Sequence, residues 1–118
     1  MSACAISKHE LNQFTGTEKY YRHWTKRIVY TEGVQFVAEK MGAYWLLDVI
    51  ASYQPGLQDQ EFQVWILEKS GDEYRIVCHD GNDNILITQI IPSTDFHEDL
   101  MPFKLFCINN TILLPSEY

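Results

Sequence analysis

Lys19, Arg22, His23, Lys26 and Arg27 fall at i, i+3, i+4, i+7 and i+8, a spacing that lines up one face of an α-helix. Tyr20, Tyr21 and Trp24 stand beside them. Cations next to aromatic rings suit nucleic acid or another anionic ligand, the charges meeting phosphates and the rings stacking on bases. The competing reading sends the aromatics into the core and leaves the cations as its solvated opposite face. Tyr44 and Asp48 are four apart and share a helical face. A carboxylate buried among aromatics would have a raised pKa and serve as general acid or base. On a solvent-side stripe it would only be wet or hydrogen-bonded, because charges are seldom buried unpaired.

Other constellations carry less chemistry. Cys78, His79 and Asp80 are consecutive, but neighbours on a strand point to opposite faces, so Cys78 and His79 cannot form a dyad. His97, Glu98 and Asp99, with Asp95 nearby, are the densest group of metal-ligand types, without the paired His or Cys spacing of a metal site. Asp80-Gly81-Asn82-Asp83-Asn84 is only superficially like a calcium loop, since it lacks the closing glutamate. Glycine-rich phosphate loops, serine elbows and paired-carboxylate motifs do not occur. The expectation is therefore no catalytic set, no metal and no cofactor.

The elements that would position these residues change character at mid-chain. Ser7 to Glu10 has capping-box spacing before Leu11 and Phe14. Thr15 to Glu18 repeats it and opens a second helix, with Tyr20, Tyr21, Trp24 and Ile28 on one face, ending near Lys26. Thr31 is placed to cap a third helix with seam Val34, Val37, Ala38 and Met41, stopped by Gly42. Ala43 to Tyr53 is a fourth and the most apolar, ended by Gln54-Pro55-Gly56.

From Phe62 the period becomes two. Strands are expected at Phe62 to Leu67, Tyr74 to His79 and Ile85 to Ile91, followed by a hairpin of Lys104 to Ile108 and Thr111 to Leu114 around Asn109-Asn110. The fold class is α+β: N-terminal helices (about 7–53) on one face of a C-terminal antiparallel meander of about five strands (about 61–114), in one domain spanning 1–118. Trp65, Leu67, Leu86 and Ile90 are expected on the second sheet face, where they would make a dimer or partner surface.

Composition sets the outer bounds. The chain has 118 residues, of which 46% are hydrophobic and 21% charged, enough to bury roughly 65% of its unfolded surface without a disulfide or metal. The N-terminal residues lack the pattern of a signal peptide, and no apolar run nears the roughly 20 residues of a membrane span. Three cysteines without Cys-x-x-Cys spacing fit a reducing cytoplasm. Net charge is −7. Residues 1–40 hold six bases against four acids, a balance of +2, and residues 41–118 three against twelve, a balance of −9. So acidic a chain is a poor general nucleic-acid binder, although a local basic patch is compatible with it.

Several strings together resemble a known family: Phe14-Thr15-Gly16-Thr17-Glu18, Tyr21-Arg22-His23-Trp24, Tyr30-Thr31-Glu32-Gly33-Val34, Gly42-Ala43-Tyr44-Trp45-Leu46-Leu47-Asp48, Glu61-Phe62-Gln63-Val64-Trp65 and Leu114-Pro115-Ser116-Glu117-Tyr118. It is a family of small bacterial proteins known only as a domain of unknown function, often carried by plasmids, prophages and other mobile elements. The resemblance implies a bacterial or phage cytosol and an accessory role, and gives no residue a function. The leading expectation is a non-enzymatic interaction protein whose acidic sheet half docks on a protein partner. Alternatives are nucleic-acid binding through the basic stripe, and a small enzyme with its pocket near Tyr44 and Asp48. Self-association through the second sheet face is a further possibility.

Overall fold

In the computed structural model, which describes residues 20–25, 27–92, 94, 96 and 100–118, the third and fourth expected helices form as read. Helix α1 spans Glu32–Met41 and α2 spans Tyr44–Tyr53. Thr31 Oγ1 accepts the Val34 N–H at 3.3 Å, filling one of the donors a helix start leaves open. Gly42, at φ 60°, stops α1 in the left-handed conformation that glycine adopts without a Cβ clash. In α2, Leu46, Leu47, Ile50 and Ala51 are buried, and a 3₁₀ turn over Gln54–Leu57 ends the helical layer.

From Tyr20 on, the described part of the segment expected to be the second helix is instead one strand of a β-hairpin. Strand β1 covers Tyr20–Arg22 and β2 covers Val29–Thr31, paired antiparallel with Tyr21 opposite Tyr30 and Arg22 opposite Val29. The His23 N–H closes the loop on the Ile28 carbonyl at 3.0 Å. The helical spacing of Tyr20, Tyr21, Trp24 and Ile28 is real, but aromatic and β-branched residues suit a pleated surface. Tertiary pairing decides, since β2 lies parallel beside β7 with Val29 opposite Thr111 and Tyr30 opposite Ile112. The boxes at Ser7 to Glu10 and Thr15 to Glu18, Lys19, Lys26, Asp95 and the His97–Asp99 group lie outside the described residues.

The other strands are β3 (Phe62–Ser70), β4 (Glu73–His79), β5 (Ile85–Ile91), β6 (Phe103–Ile108) and β7 (Thr111–Leu113). Their order, β1-β2-β7-β6-β3-β4-β5, corrects the expected meander. Among the described residues the sheet has seven strands, one parallel pair, and a crossing after β5 that sets β6 against β3. The hairpin turn at Asn109-Asn110 forms as expected, with both residues at positive φ.

Trp65, Leu67, Ile76, Leu105, Cys107 and Ile112 meet the helices in the core. The second face carries Phe62, Val64, Ile66 and Phe106, opposite in parity to the core set, with Tyr118 packed on both phenylalanines at 6.1 and 5.5 Å between ring centroids. Trp65 and Leu67 therefore lie on the helix-covered face, not the second one. Period-two alternation separates two sets of residues, but in β3 both are apolar, so the pattern alone did not say which set faced the helices. Leu86 packs against the core, and Ile90 remains exposed.

The C-terminal segment secures the start of α1. Glu117 Oε1 accepts from Thr31 Oγ1 at 2.6 Å and from the Leu114 N–H at 3.0 Å, and Oε2 accepts the Gly33 N–H at 3.3 Å. A carboxylate suits the positive end of a helix. Gly33 lets it approach, since a Cβ there would lie 2.7 Å from Glu117 Oε1. Among the described residues, no helix is long and apolar enough to cross a membrane.

Candidate functional site

The loop between β1 and β2 is built by its own side chains. His23 is buried, at 4% exposure. Its Nδ1 accepts the Thr25 N–H at 3.2 Å and lies 2.9 Å from Thr25 Oγ1. An Nδ1 that accepts a backbone proton places the ring hydrogen on Nε2 in the neutral imidazole. Nε2 then donates to Asp48 Oδ1 at 2.7 Å. The same oxygen accepts the Trp24 indole N–H at 2.9 Å. One carboxylate on α2 thus receives two adjacent loop residues, and the loop is pinned to the helix.

That pin leaves the Trp24 ring in solvent, at 76% exposure. Tyr20 is exposed on the outer described strand, and Tyr21 stacks on Tyr30 with centroids 5.7 Å apart. Exposed single apolar residues are ordinary. An indole held outward by a hydrogen bond is different: its orientation has been fixed, and although the His23 ring lies 5.5 Å from it between centroids, most of it stays in solvent. The ring contributes a rigid, amphipathic contact surface.

The structure divides the residues singled out from the sequence. His23 turns inward to Asp48, whereas Arg22 and Arg27 are exposed. Among the described residues neither arginine is in an ion pair, and both line one open cleft. The single helical stripe is replaced by two features of a hairpin, because the loop reverses the chain between Arg22 and Arg27. Tyr44 and Asp48 do share the solvent side of α2. Tyr44 is exposed and donates its hydroxyl to Glu39 at 3.0 Å. Partial burial, then that bond to Glu39, raises its pKa. The Asp48 side chain is 50% exposed. Neither lines the cleft at the arginines or the small apolar cavity beneath α1.

Asp48, His23 and Thr25 follow the order carboxylate, imidazole, hydroxyl of a nucleophilic triad. Here the Thr25 N–H competes for the same Nδ1 lone pair, and Thr25 Oγ1 also takes the Arg27 N–H at 3.3 Å. The geometry is that of a closed turn rather than a freed nucleophile. Cys78 and Cys107 are buried, and burial pushes both thiols up to about 12, far from the thiolate that attacks. The Asp80 carboxylate binds its own turn, accepting from Asn82 N–H at 2.8 Å and Asn84 Nδ2 at 2.9 Å. Those bonds hold its pKa below the ordinary value.

Sequence reasoning missed what joins these residues. His23 and Asp48 are 25 positions apart, and no local pattern links a loop histidine to a helix carboxylate at that distance. The only available signal was shared company: Tyr21-Arg22-His23-Trp24 and Gly42 to Asp48 were both among the family-like strings, and they meet at Asp48 Oδ1. Tyr30 to Val34 and Leu114 to Tyr118 meet likewise at Glu117.

The chain belongs to DUF6876, a family of unknown function whose model matches residues 5–118. No curated protein and no solved structure is significantly similar to it.

Proposed function

We propose, starting from membership of a family to which no activity is attached, that this is a non-enzymatic protein that binds single-stranded nucleic acid at its Tyr20–Arg27 edge. The observation that carries the reading is Trp24, exposed at 76% yet fixed by Asp48 and flanked in sequence by two exposed arginines. Fixed rings for stacking and cations for phosphates are what sequence-tolerant single-strand binding uses. The plasmid, prophage and cytoplasmic setting implied by the resemblance forms part of the proposal and fits an accessory protein of this kind.

The other reading is a protein partner. Its acidic-half version draws on the −9 balance of residues 41–118, but Asp72 and Glu73 lie at one end of β4 while Asp80 and Asp83 lie beyond the other. The carboxylates are spread out, whereas the arginines and rings share one edge. A protein docking at that same edge is favoured by its Trp, Tyr and Arg composition, the residue types of binding hot spots.

Fluorescence anisotropy of a labelled single-stranded oligonucleotide, at low and at physiological salt, separates the two. Binding should weaken with salt on a shallow log–log slope of about −1.4, the value for two phosphate contacts on a single strand. Trp24→Ala should weaken it by about tenfold or more, the worth of one lost base stack. An absence of binding at low salt would sink the nucleic-acid reading and leave the protein partner.

A further inference from the structure

Arg22 ends β1 and Arg27 leaves the loop that follows, and the His23 N–H to Ile28 carbonyl bond turns the chain so that both border one space. That space is an open cleft of about 200 Å³ floored by Ile28 and Val29. Its far wall is the β6–β7 turn, Asn109 and Asn110 with Thr111. The wall is rigidly placed. The Val29 N–H donates to the Asn110 carbonyl at 3.0 Å, and the Asn109 N–H donates to the Glu61 carbonyl at 3.1 Å. With those backbone groups committed to the scaffold, both asparagine amides and the Thr111 hydroxyl have no side-chain partner among the described residues. Although the chain has a net charge of −7, no carboxylate among the described residues lines this cleft.

We infer that the Arg22–Arg27 cleft is a discrete site for one phosphate group, and that the group it takes is the terminal phosphate of a nucleic-acid strand. This rests on the single-strand reading above and sharpens it. Guanidinium forks bind phosphate oxygens in pairs, a geometry lysine does not offer. The asparagine amides and threonine hydroxyl supply neutral donors for the remaining oxygens. Size sets the limit, because pockets for drug-sized ligands run from about 300 to 1,000 Å³. This cleft is smaller and suits a phosphate without its nucleoside, whose base is left to the Trp24 ring. Charge selects the terminus: a phosphomonoester carries about −1.5 to −2 at neutral pH, which two arginines neutralise, whereas an internal diester carries a single charge.

The test uses the full chain and one oligonucleotide in three forms: 5′-phosphorylated, 3′-phosphorylated and unphosphorylated. One phosphorylated form should bind about tenfold more tightly than the unphosphorylated strand. Arg22→Gln or Arg27→Gln should weaken binding of every form, and of the phosphorylated one more, so that the difference is erased, whereas Trp24→Ala should weaken all three forms alike. Millimolar inorganic phosphate should compete only for the phosphate-dependent part and shift the Arg22 and Arg27 Nε–H signals by NMR. Equal affinity for all three forms, with no shift on adding phosphate, overturns the site while leaving single-strand binding standing. If no strand binds but phosphate shifts both arginines, the phosphate site stands and its assignment to nucleic acid falls.

Discussion

Two of the protein's three tryptophans are held by the same device and put to opposite use. The Trp65 indole donates to Gln63 Oε1 at 2.9 Å, and the Trp24 indole donates to Asp48 Oδ1, also at 2.9 Å. Trp65 is 1% exposed and Trp24 is 76% exposed. The acceptors differ accordingly. In the core the acceptor is a neutral amide, and Gln63 and Gln54 satisfy each other through reciprocal bonds of 2.9 and 3.0 Å. Their spare hydrogens go to the Ile50 and Gln60 carbonyls at 3.1 and 3.2 Å. At the edge the acceptor is a half-exposed carboxylate, whose charge water continues to solvate. Burial demands neutral, mutually complete partners, since a buried charge costs far more than a buried amide. The comparison teaches where each ring's energy goes: Trp65 spends its whole ring on the fold, and Trp24, beside His23, keeps most of its ring in solvent.

The largest expected effect follows from the buried ring. Trp65→Ala removes a fully buried indole between the sheet and α2, where Tyr53 packs on it with centroids 5.9 Å apart. The loss should be about 3–5 kcal/mol, a large part of the stability of a domain this size. Urea denaturation would read it directly. A loss below about 1 kcal/mol would show that the core does not lean on Trp65, and the contrast with Trp24 would disappear.

Next comes the amide pair. Gln63→Leu leaves the Trp65 N–H and the Gln54 side-chain oxygen without their partners in a place water does not reach. Unmet buried groups cost about 1–3 kcal/mol. Gln54→Leu should cost less, because Trp65 keeps Gln63 Oε1 as its acceptor. Equal losses from the two substitutions would mean that the network acts as one unit rather than as a chain with Gln63 at its centre.

How much of this was legible depends on the range of the signal. The ends of α1 were readable because Thr31 and Gly42 act on their immediate neighbours, as was β3, whose alternation is visible within a few residues. The β1–β2 hairpin was not. Its residues satisfy a helical period by accident, and what decides their conformation is β7, which arrives some eighty positions later. Arg22, Arg27, Tyr44 and Asp48 were identifiable by residue type, but their grouping was not: the cleft needs Asn109, Asn110 and Thr111 for its far wall. Asp48 acquires its role only when a loop folds onto α2. Glu117 is 86 positions from Thr31, beyond the reach of any local pattern.

The two smallest expected effects on stability are the most informative about function. Asp48→Ala removes the shared acceptor of His23 and Trp24 but no buried apolar mass. His23 Nε2 loses its partner, yet the Asp48 side chain it bonds is half exposed, so water can enter and the cost should lie near the low end of the range, about 1 kcal/mol. Trp24→Ala should cost still less, within about 0.5 kcal/mol, as for surface positions generally. Binding should respond differently. Trp24 is still present in Asp48→Ala but free to rotate, so the strand must pay to order it, and affinity should fall by several-fold without loss of the ring. Anisotropy on the two variants, beside their urea midpoints, checks this. If Asp48→Ala unfolds the protein as readily as Trp65→Ala, the edge clip is part of the core's support and the division between the two tryptophans fails. If it leaves both stability and affinity unchanged, the Trp24 ring is oriented by something other than Asp48.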